Sequence, residues 1–334
     1  MVRGFINLTM TPKEVVIRAI RFQSPGRLPR NLVPEYGSDF AFVSMNPSPD
    51  LRPGAGVDQW GCVWENIGVS KHGEVKEFPL KDWADWDKLQ IPDIRDPARW
   101  EDLDGARDRA DDKFLLAYGV SLYERVHFVR RLENTWADTL NNPDELGRLI
   151  DILVEMNLYA IERFAEAGAD GYYFCDDWGL QKGLMISPQS WRAIWKPRYA
   201  RVYAAARESG LLTFLHSCGD ITAILDDLIE AGLDVIQMDQ QESMGLEMLG
   251  ERFGGRITFW CPVDIQQTMV NGSLEDIRAY CRRMVKTLGR PEGGFIAQWY
   301  SDPVGVGHSQ EAIDAMCEEF LKISSEYGKG DRNP

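Results

Sequence analysis

The sequence lacks the long apolar segments and basic stretches that mark membrane and nucleic-acid-binding proteins. Its 334 residues contain no run of about 18 apolar residues, the length that a membrane-spanning helix needs. The first residues, Met1 to Phe5, lack the apolar core of a secretory leader, so we expect a cytoplasmic protein. With 37 Lys and Arg against 52 Asp and Glu, the net charge is −15, and no basic segment is suited to a phosphate backbone. We therefore expect neither nucleic acid nor a membrane among the partners.

Cysteine and histidine are also scarce, with six and four residues respectively. The cysteines have no regular spacing, and in a chain expected to be cytoplasmic this argues against a disulfide framework. Reduced thiols therefore remain available as metal ligands. No Gly-x-Gly-x-x-Gly motif opens a helix after an early strand, which argues against a doubly wound, dinucleotide-binding sheet.

Strand and helix patterns alternate over most of the chain. Strands are predicted at residues 31–36, 113–118, 171–175, 211–215, 234–238, 256–261 and 293–299. Helices are predicted at residues 120–140, 142–167, 188–208, 221–231, 246–253, 274–288 and 309–327. This rhythm is typical of a parallel sheet with helices outside. About eight such units predict an α/β protein with a (β/α)8 TIM barrel, and a doubly wound sheet is the alternative.

Residues 37–110 interrupt this rhythm, because they are rich in Pro, Gly, Trp and charged residues with short hairpin-like pieces. We predict that they form an insertion after the first strand that covers the barrel mouth, within a single barrel domain spanning residues 1–334. Four of the eleven tryptophans, Trp60, Trp64, Trp178 and Trp299, have polar or Gly/Pro-rich surroundings. Such aromatics line a pocket or an interface more often than they fill a core.

His216 and Cys218 form the most informative motif. They follow the apolar run 211–215, a predicted strand bounded by glycines, and therefore stand at its carboxyl end. Side chains two residues apart in an extended chain point the same way, so both can reach one ion. Imidazole and thiolate are typical zinc ligands, and barrels place their chemistry at this end of the strands. The alternative is structural, with Cys218 as a small buried apolar residue and His216 as a hydrogen-bonded strand end.

Two adjacent carboxylates, Asp176 and Asp177, follow the strand predicted at 171–175 on the same face of the barrel. Adjacent side chains in an extended segment diverge, so we expect two different roles. One Asp is expected to cap backbone N–H groups. The other is expected to face the mouth as a catalytic base, metal ligand or substrate anchor. Both are catalytic candidates, and we favour Asp177 for the mouth.

Several segments give the chain a resemblance to the uroporphyrinogen-decarboxylase-like superfamily of (β/α)8 barrels, and the resemblance covers nearly the whole chain. The segments are residues 19–29 (AIRFQSPGRLP), 58–64 (DQWGCVW), 176–181 (DDWGLQ) followed by Ser187 and Pro188, and 293–296 (GGFI). The superfamily holds cofactor-free decarboxylation of a tetrapyrrole and zinc-dependent methyl transfer between a corrinoid protein and a thiol or another acceptor. The His-x-Cys element at 216–218 is similar to the zinc-binding element of the methyltransferase branch. The Arg-rich amino-terminal element of the decarboxylase branch has no counterpart here, and the corresponding region carries Glu35 instead.

The resemblance implies a zinc-dependent methyltransferase acting on a small-molecule methyl donor or acceptor. The corrinoid (cobalamin) is expected on a separate corrinoid-binding protein, because no Asp-x-His-x-x-Gly motif occurs in this chain. The direction, methylation or demethylation of the small molecule, stays open, and a homodimer is compatible with the family. Two alternatives also stay open: a lyase or decarboxylase of the same fold acting on another small acid, and a ligand-binding barrel without catalysis.

The expected third zinc ligand departs from the family pattern. The methyltransferases supply a Cys from the loop after the last strand, whereas residues 298–303 contain no thiol here. Cys261, at the carboxyl end of the strand predicted at 256–261, is the best replacement, and we predict a His216, Cys218 and Cys261 metal site. The alternatives are a buried structural thiol at 261 and an oxygen ligand from Asp177, Asp302 or Glu35.

The remaining candidates are expected to bind the substrate. They are aromatic or polar residues predicted at the carboxyl ends of strands or in the loops that follow them: Glu35, Tyr123, Trp178, Gln298, Trp299 and Tyr300. An aromatic mouth suits either a flat corrin ring or an aromatic methyl ether.

Overall fold

Eight parallel strands wrap into a barrel in the computed structural model, which describes residues 10–66, 68 and 73–327. In chain order the strands are β1 (Arg30–Asn31), β2 (Phe40–Ser44), β3 (Phe114–Tyr118), β4 (Gly171–Cys175), β5 (Leu212–His216), β6 (Val235–Gln237), β7 (Thr258–Cys261) and β8 (Phe295–Gln298). They pair in the order β1, β8, β7, β6, β5, β4, β3, β2, and the Asp39 N–H donates to the Arg30 carbonyl (2.9 Å) where the two ends meet. This sequential order confirms the predicted (β/α)8 barrel, because in a doubly wound sheet the order of the strands reverses at one point of the sheet. Met1 to Phe5 lie outside the described residues.

Helices connect the strands on the outside. The described residues form the helices Pro12–Ile20, Ala106–Ala110, Tyr123–Arg130, Leu132–Asn141, Pro143–Glu166, Pro188–Ile194, Lys196–Glu208, Thr222–Ala231, Leu246–Phe253, Thr268–Asn271, Leu274–Leu288, Pro303–Val306 and Gln310–Glu326. The helix Leu274–Leu288 begins where Ser273 and Asp276 form a reciprocal capping box, and its buried residues recur every three or four positions. Across the described part of the chain, no helix is both long and apolar enough to cross a membrane.

Alternation along the strands separates an inner from an outer layer of side chains. Phe40, Phe114, Tyr173, Phe214 and Trp260 point into the barrel and form an aromatic core. Within it, Phe40 stacks on Trp260 with the ring centroids 5.1 Å apart. The strand residues between these positions pack against the helices instead. The barrel interior is therefore filled, and ligands can approach only from its ends.

The last inward positions of the strands form the floor of the barrel mouth. Cys175, His216 and Gln237 are register partners on β4, β5 and β6. Each lies two residues beyond an inward-facing core residue, so its side chain faces the same way. Tyr118 on β3 and Gln298 on β8 hold the equivalent positions on their strands. The floor is thus polar and sulfur-containing, in contrast to the aromatic core beneath it.

Residues 37–110 include a barrel strand that the sequence prediction assigned to the insertion. Phe40–Ser44 is β2 and pairs with β3. The excursion therefore starts after β2, at Met45, later than predicted. It contains a small antiparallel sheet of Gly56–Val57, Val63–Glu65 and Glu74–Glu77 and returns to the barrel through the helix Ala106–Ala110. The sequence pattern did not reveal this strand, because its five residues are followed by Gly- and Pro-rich sequence.

A buried ion network attaches the excursion to the carboxyl-end side of the barrel. Arg125, which is 0% exposed, donates to Asp58 (2.7 Å) and Asp50 (3.3 Å) of the excursion. Asp50 also accepts from the hydroxyl of Ser121 (2.7 Å), in the segment that follows β3. Buried charges are tolerated when they are paired and hydrogen-bonded in this way. The network holds the excursion beside the barrel mouth.

Three of the four tryptophans predicted to line a pocket or an interface are buried. Trp60, Trp64 and Trp178 are at most 2% exposed, while Trp299 is half-buried. The polar groups around them accept hydrogen bonds from the indole N–H, as the Pro49 carbonyl does for Trp60 (2.8 Å). A satisfied N–H allows the large ring to lie in the core, so polar surroundings in sequence did not mean exposure.

Candidate metal centre at the carboxyl end of the barrel

Two loops meet closely at the mouth because each has a glycine at the contact. The loop after β4 passes Gly179, and the loop after β5 passes Gly219, which has a φ of 75°. A Cβ on Gly219 would lie 2.2 Å from the carbonyl of Gly179, and a Cβ on Gly179 would lie 2.4 Å from the Asp220 nitrogen. Neither position accommodates a side chain without movement of the backbone. This contact brings the segment with Asp177 beside the segment with Cys218.

Asp177, His216 and Cys218 converge at this point. The His216 Nε2 lies 3.2 Å from the Asp177 Oδ1 and 3.3 Å from the Cys218 Sγ. The Cys218 N–H also donates to the Asp177 Oδ1 (2.7 Å), which fixes the carboxylate against the loop. The three ligand atoms lie within 4.8 Å of one another. Nitrogen, sulfur and oxygen donors thus face one position that a single ion could occupy.

The charges in this group depend on one another. Burial alone would raise the pKa of Asp177, but the neighbouring His216 and the Cys218 N–H lower it to about 2. Burial would lower the pKa of His216, but the Cys218 sulfur and the Asp177 carboxylate raise it well above its ordinary value. Burial raises the pKa of the Cys218 thiol to about 11, although His216 opposes this change. Without a metal, therefore, a carboxylate and an imidazolium stabilise each other beside a neutral thiol.

Cys261 does not join this group, contrary to the sequence prediction. Its neighbour Trp260 points into the barrel, so alternation turns Cys261 outwards against the helices, where it is fully buried. Burial raises the pKa of this thiol well above its ordinary value. The outward direction gives Cys261 a packing role, and the oxygen of Asp177 stands where the third ligand was expected.

Replacing Cys261 with serine is expected to leave the zinc content unchanged and to lower the stability by about 1–3 kcal/mol, because a hydroxyl replaces a thiol in an apolar layer. Zinc content and urea denaturation of the purified variant measure the two effects. Cys218→Ser is the matched control, since it changes the same atom at the proposed ligand and should lose zinc. Loss of zinc from the Cys261 variant with unchanged stability would contradict the observed orientation.

Three residues predicted for catalysis or substrate binding are buried behind the mouth. Asp176 is 0% exposed and accepts from the Glu124 N–H (2.9 Å) and the Tyr199 hydroxyl (2.5 Å). Burial raises its pKa well above the ordinary value. Trp178 and Tyr123 are at most 1% exposed and stack with ring centroids 3.8 Å apart. Their contacts hold the loop after β4 against the helix that follows β3.

The remaining predicted substrate residues divide between the mouth and the periphery. Gln298 faces the mouth. Burial raises the pKa of Tyr300 to about 12, and the nearby Asp239 and Cys218 add to this increase. Trp299 packs against the outer core by the alternation that turns Gln298 inwards. Glu35 is exposed in the turn Pro34–Tyr36, which contacts the helix Gln310–Glu326. Only Gln298 and Tyr300 of this set therefore stand beside the candidate metal centre.

The structure adds two polar residues that the sequence interpretation did not select, Gln237 and Asp239. The Gln237 carboxamide oxygen accepts from the Nδ1 of His216. Its nitrogen donates to the Asp239 Oδ1 (2.7 Å) and the Gln298 Oε1 (2.9 Å). The available signal was a lone Gln in the otherwise apolar segment of β6, at the position in register with His216.

A second addition is the pair Arg52 and Glu124, which joins the excursion to the helix Tyr123–Arg130. The two guanidinium N–H groups donate to the two carboxylate oxygens, and Glu124 is 5% exposed. Burial raises the pKa of Glu124 to about 7, with Arg52 opposing the change. Arg52 also lowers the pKa of the nearby Asp177. The charge of Arg52, in the excursion, therefore acts on the candidate metal centre.

Sequence comparison with protein families identifies a known family. The model of the family described as Uroporphyrinogen decarboxylase (URO-D) matches residues 73–320, which is well over half of the chain. No curated protein matches the sequence at a significant level.

Comparison with solved structures gives matches of low sequence identity. A methyltransferase from Methanosarcina mazei superposes with a TM-score of 0.68 at 16% identity, covering 94% of this chain and 99% of that chain. A B12-independent methionine synthase from Shewanella sp. W3-18-1 gives 0.47 at 12% identity and 66% coverage of each chain. A GH18 chitinase from Flavobacterium johnsoniae gives 0.39 at 10% identity, covering 73% of this chain and 87% of that chain. At 16% identity the likeness to the Methanosarcina mazei protein shows a shared fold alone, so an activity has to be argued from the residues at the mouth.

Proposed function

The chain belongs to the uroporphyrinogen decarboxylase family, and on that premise we propose that it is a zinc-dependent methyltransferase. It moves a methyl group between a small molecule and a corrinoid carried by a separate protein. The observation that carries this proposal is the convergence of Asp177, His216 and Cys218 within 4.8 Å of one another at the carboxyl end of the barrel. The Methanosarcina mazei protein that shares the fold over 94% of this chain is a methyltransferase, which is the activity carried over here.

The donor set fits zinc. A tetrahedral zinc with Zn–N near ~2.1 Å and Zn–S near ~2.3 Å spaces its ligand atoms roughly 3.3–3.6 Å apart. The His216 Nε2 lies 3.3 Å from the Cys218 Sγ and 3.2 Å from the Asp177 Oδ1, so little rearrangement is required. Catalytic zinc sites keep three protein ligands and one open position, and three donors are present here.

The residues around the open position have different roles. Zinc held by His216 and Cys218 would lower the pKa of a coordinated thiol or polarise the heteroatom of a methyl donor. Asp177 supplies the third donor and, through the Cys218 N–H, fixes the loop that carries the thiol. Gln298 and Tyr300 stand beside the group, where they orient the small molecule. The filled aromatic core closes the site from below and excludes water on that side.

Exposed aromatic rings support a corrinoid partner. Phe42 in the middle of β2 and Tyr118 at the carboxyl end of β3 both point inwards, yet they are 42% and 38% exposed. Their ring centroids are 5.6 Å apart, so together they form a continuous apolar surface, and Tyr118 lies near His216. A flat macrocycle is suited to such a surface, because it buries aromatic area without requiring hydrogen bonds.

Decarboxylation of a polycarboxylate is less well supported by the charges at the mouth. Such a substrate needs free cations, whereas Arg52 is paired with Glu124 and Arg125 is paired with Asp58 and Asp50. The overall charge of −15 opposes a polyanionic substrate further.

The proposal is tested by metal analysis followed by methyl transfer with free corrinoids. We expect about one zinc per chain, methyl transfer from methylcobalamin to small thiols such as 2-mercaptoethanol, or demethylation of aromatic methyl ethers by cob(I)alamin. Asp177→Ala should weaken zinc binding by about 100-fold, since one ligand is lost, while the barrel stays folded. Asp302→Ala, which changes a carboxylate outside the group, is the matched control. A protein that binds zinc but accelerates neither reaction would contradict the methyltransferase assignment.

A further inference from the structure

A chain of hydrogen bonds leads from His216 away from the metal ligands. The His216 Nδ1 contacts the Gln237 carboxamide oxygen, and the Gln237 nitrogen donates to the Asp239 Oδ1 (2.7 Å) and the Gln298 Oε1 (2.9 Å). Gln237 is 2% exposed and Asp239 is 6% exposed, so water does not compete for these groups. These hydrogen bonds lie on the side of the imidazole opposite to Asp177 and Cys218.

The partners of Gln237 determine which way its amide faces. An ionised carboxylate accepts hydrogen bonds and cannot donate, so Asp239 requires the amide nitrogen. The Gln237 oxygen is then left for His216, and an oxygen can only accept, so the imidazole proton is held on Nδ1. The proton that a metal displaces is therefore the one on Nε2, which faces the position that Asp177 and Cys218 share, while Nδ1 keeps its proton.

Asp239 has a second property that relates it to a metal. No ion pair of Asp239 is found among residues 10–66, 68 and 73–327, although this carboxyl group is buried. A buried carboxylate is costly unless a positive charge lies near it. The positive charge that it faces through Gln237 is that of His216, and a cation on Nε2 would add to it.

We infer that Gln237 and Asp239 are positioning residues that orient the imidazole of His216 and keep its Nε2 free for the metal. The inference rests on the proposed metal-dependent function and adds two residues to it. Such contacts behind a metal ligand fix the ring and increase its basicity, and their loss typically weakens metal binding by about 10–100-fold.

Zinc affinity, measured by competition with a chromophoric chelator, is the first readout. Gln237→Met keeps the side-chain length but removes the acceptor, and we expect zinc binding to weaken by about 10–100-fold. Gln241→Met is the matched control, because Gln241 is also buried but bonds to the Pro262 carbonyl (2.8 Å) and not to the site. Its zinc affinity should stay within about threefold of the parent protein, since no ligand contact changes. Equal affinities for the Gln237→Met variant and the parent would overturn the inference.

A double exchange separates positioning from simple packing. Gln237→Glu combined with Asp239→Asn keeps the net charge and reverses the donor and the acceptor between the two residues. The introduced carboxylate still accepts from the His216 Nδ1–H and now also accepts from the new amide. We expect this double variant to bind zinc within about fivefold of the parent, whereas Asp239→Ala should resemble Gln237→Met. A double variant as weak as Gln237→Met would contradict the hydrogen-bond explanation.

A magnetic resonance measurement on the metal-free protein distinguishes this inference from the proposed function. The chain has only four histidines, so 15N-histidine labelling gives a simple spectrum, and His216→Asn assigns the signal. We expect the His216 Nδ1–H to exchange slowly with water in the parent and rapidly in Gln237→Met. A slow Nδ1–H in a protein that binds no zinc would refute the proposed function and uphold the positioning network. A rapidly exchanging Nδ1–H in the parent would refute the network, whatever the zinc content.

Discussion

Replacing His216 with alanine is expected to remove zinc from the protein and to reduce methyl transfer to the uncatalysed rate. Zinc sites in small domains bind with roughly 10–16 kcal/mol, so one of three or four ligands contributes on the order of 3 kcal/mol, a factor of more than 100 in affinity. His216 is also the proposed ligand that contacts both Asp177 and Cys218, at 3.2 and 3.3 Å. Its removal therefore leaves two of the three proposed donors, which is too few for a stable zinc site. Metal analysis and the methylcobalamin assay measure the two losses.

The fold of the His216 variant should remain intact. His216 ends β5 above the aromatic core and contributes no apolar area to it. Circular dichroism and denaturation therefore serve as controls for folding. His308→Ala is the matched control for zinc content, because the His308 Nε2 bonds to the Ile265 carbonyl (2.9 Å) and its ring packs on Tyr300 and not on the three proposed donors. If His216→Ala retained a full equivalent of zinc, the metal centre would have to lie elsewhere.

Replacing Arg125 with methionine is expected to lower the free energy of unfolding by about 3–5 kcal/mol, because it removes the positive charge that pairs with the buried Asp58 carboxylate. Arg125 and Asp58 have side chains that are 1% and 3% exposed, and they are 2.7 Å apart. The substitution also removes the contact between Arg125 and Asp50 (3.3 Å). The loss is expected first in the excursion, which this network attaches to the barrel. Urea denaturation gives the total effect, and limited proteolysis locates the segment that opens.

Arg131→Met provides the matched control for Arg125. Arg131 pairs with Glu133 at 2.9 Å, but the two side chains are 57% and 62% exposed. Solvent screens such a pair, and its removal should change the stability by less than about 1 kcal/mol. Similar losses for the two variants would show that the buried network does not hold the excursion in place.

The barrel could be predicted because periodicity and glycine turns recur along the whole chain. The helices Leu246–Phe253 and Leu274–Leu288 were predicted with their observed bounds, since an apolar stripe and flanking turn residues mark both ends. The strand Phe40–Ser44 was missed, because the Pro- and Gly-rich sequence next to it obscured the pattern. Strands that belong to a repeated strand–helix unit can therefore be predicted from the sequence pattern, whereas a strand outside the repeat is easily missed.

The site was predictable where spacing determines geometry and unpredictable where direction matters. His216 and Cys218 share a loop after a strand, and the structure brings them together. Cys261 stands at a strand end as well, but both faces of a buried parallel strand are apolar, so sequence cannot tell which way its residues point. The orientation of Trp260 settles it in the structure. Tyr123 and Trp178 were misjudged similarly, because aromatic residues near a mouth can equally support it from behind.

The contact between Gly179 and Gly219 makes the proposed metal centre depend on two backbones more than on three side chains. The separation of Asp177 from Cys218 is set by how closely the bare main chains approach, and a Cβ at either glycine would push them apart. The two loops therefore form one structural unit, because the backbone position of each depends on the glycine of the other. Anyone grafting this centre onto another barrel, or recombining it with a relative, has to exchange residues 176–180 and 216–220 together.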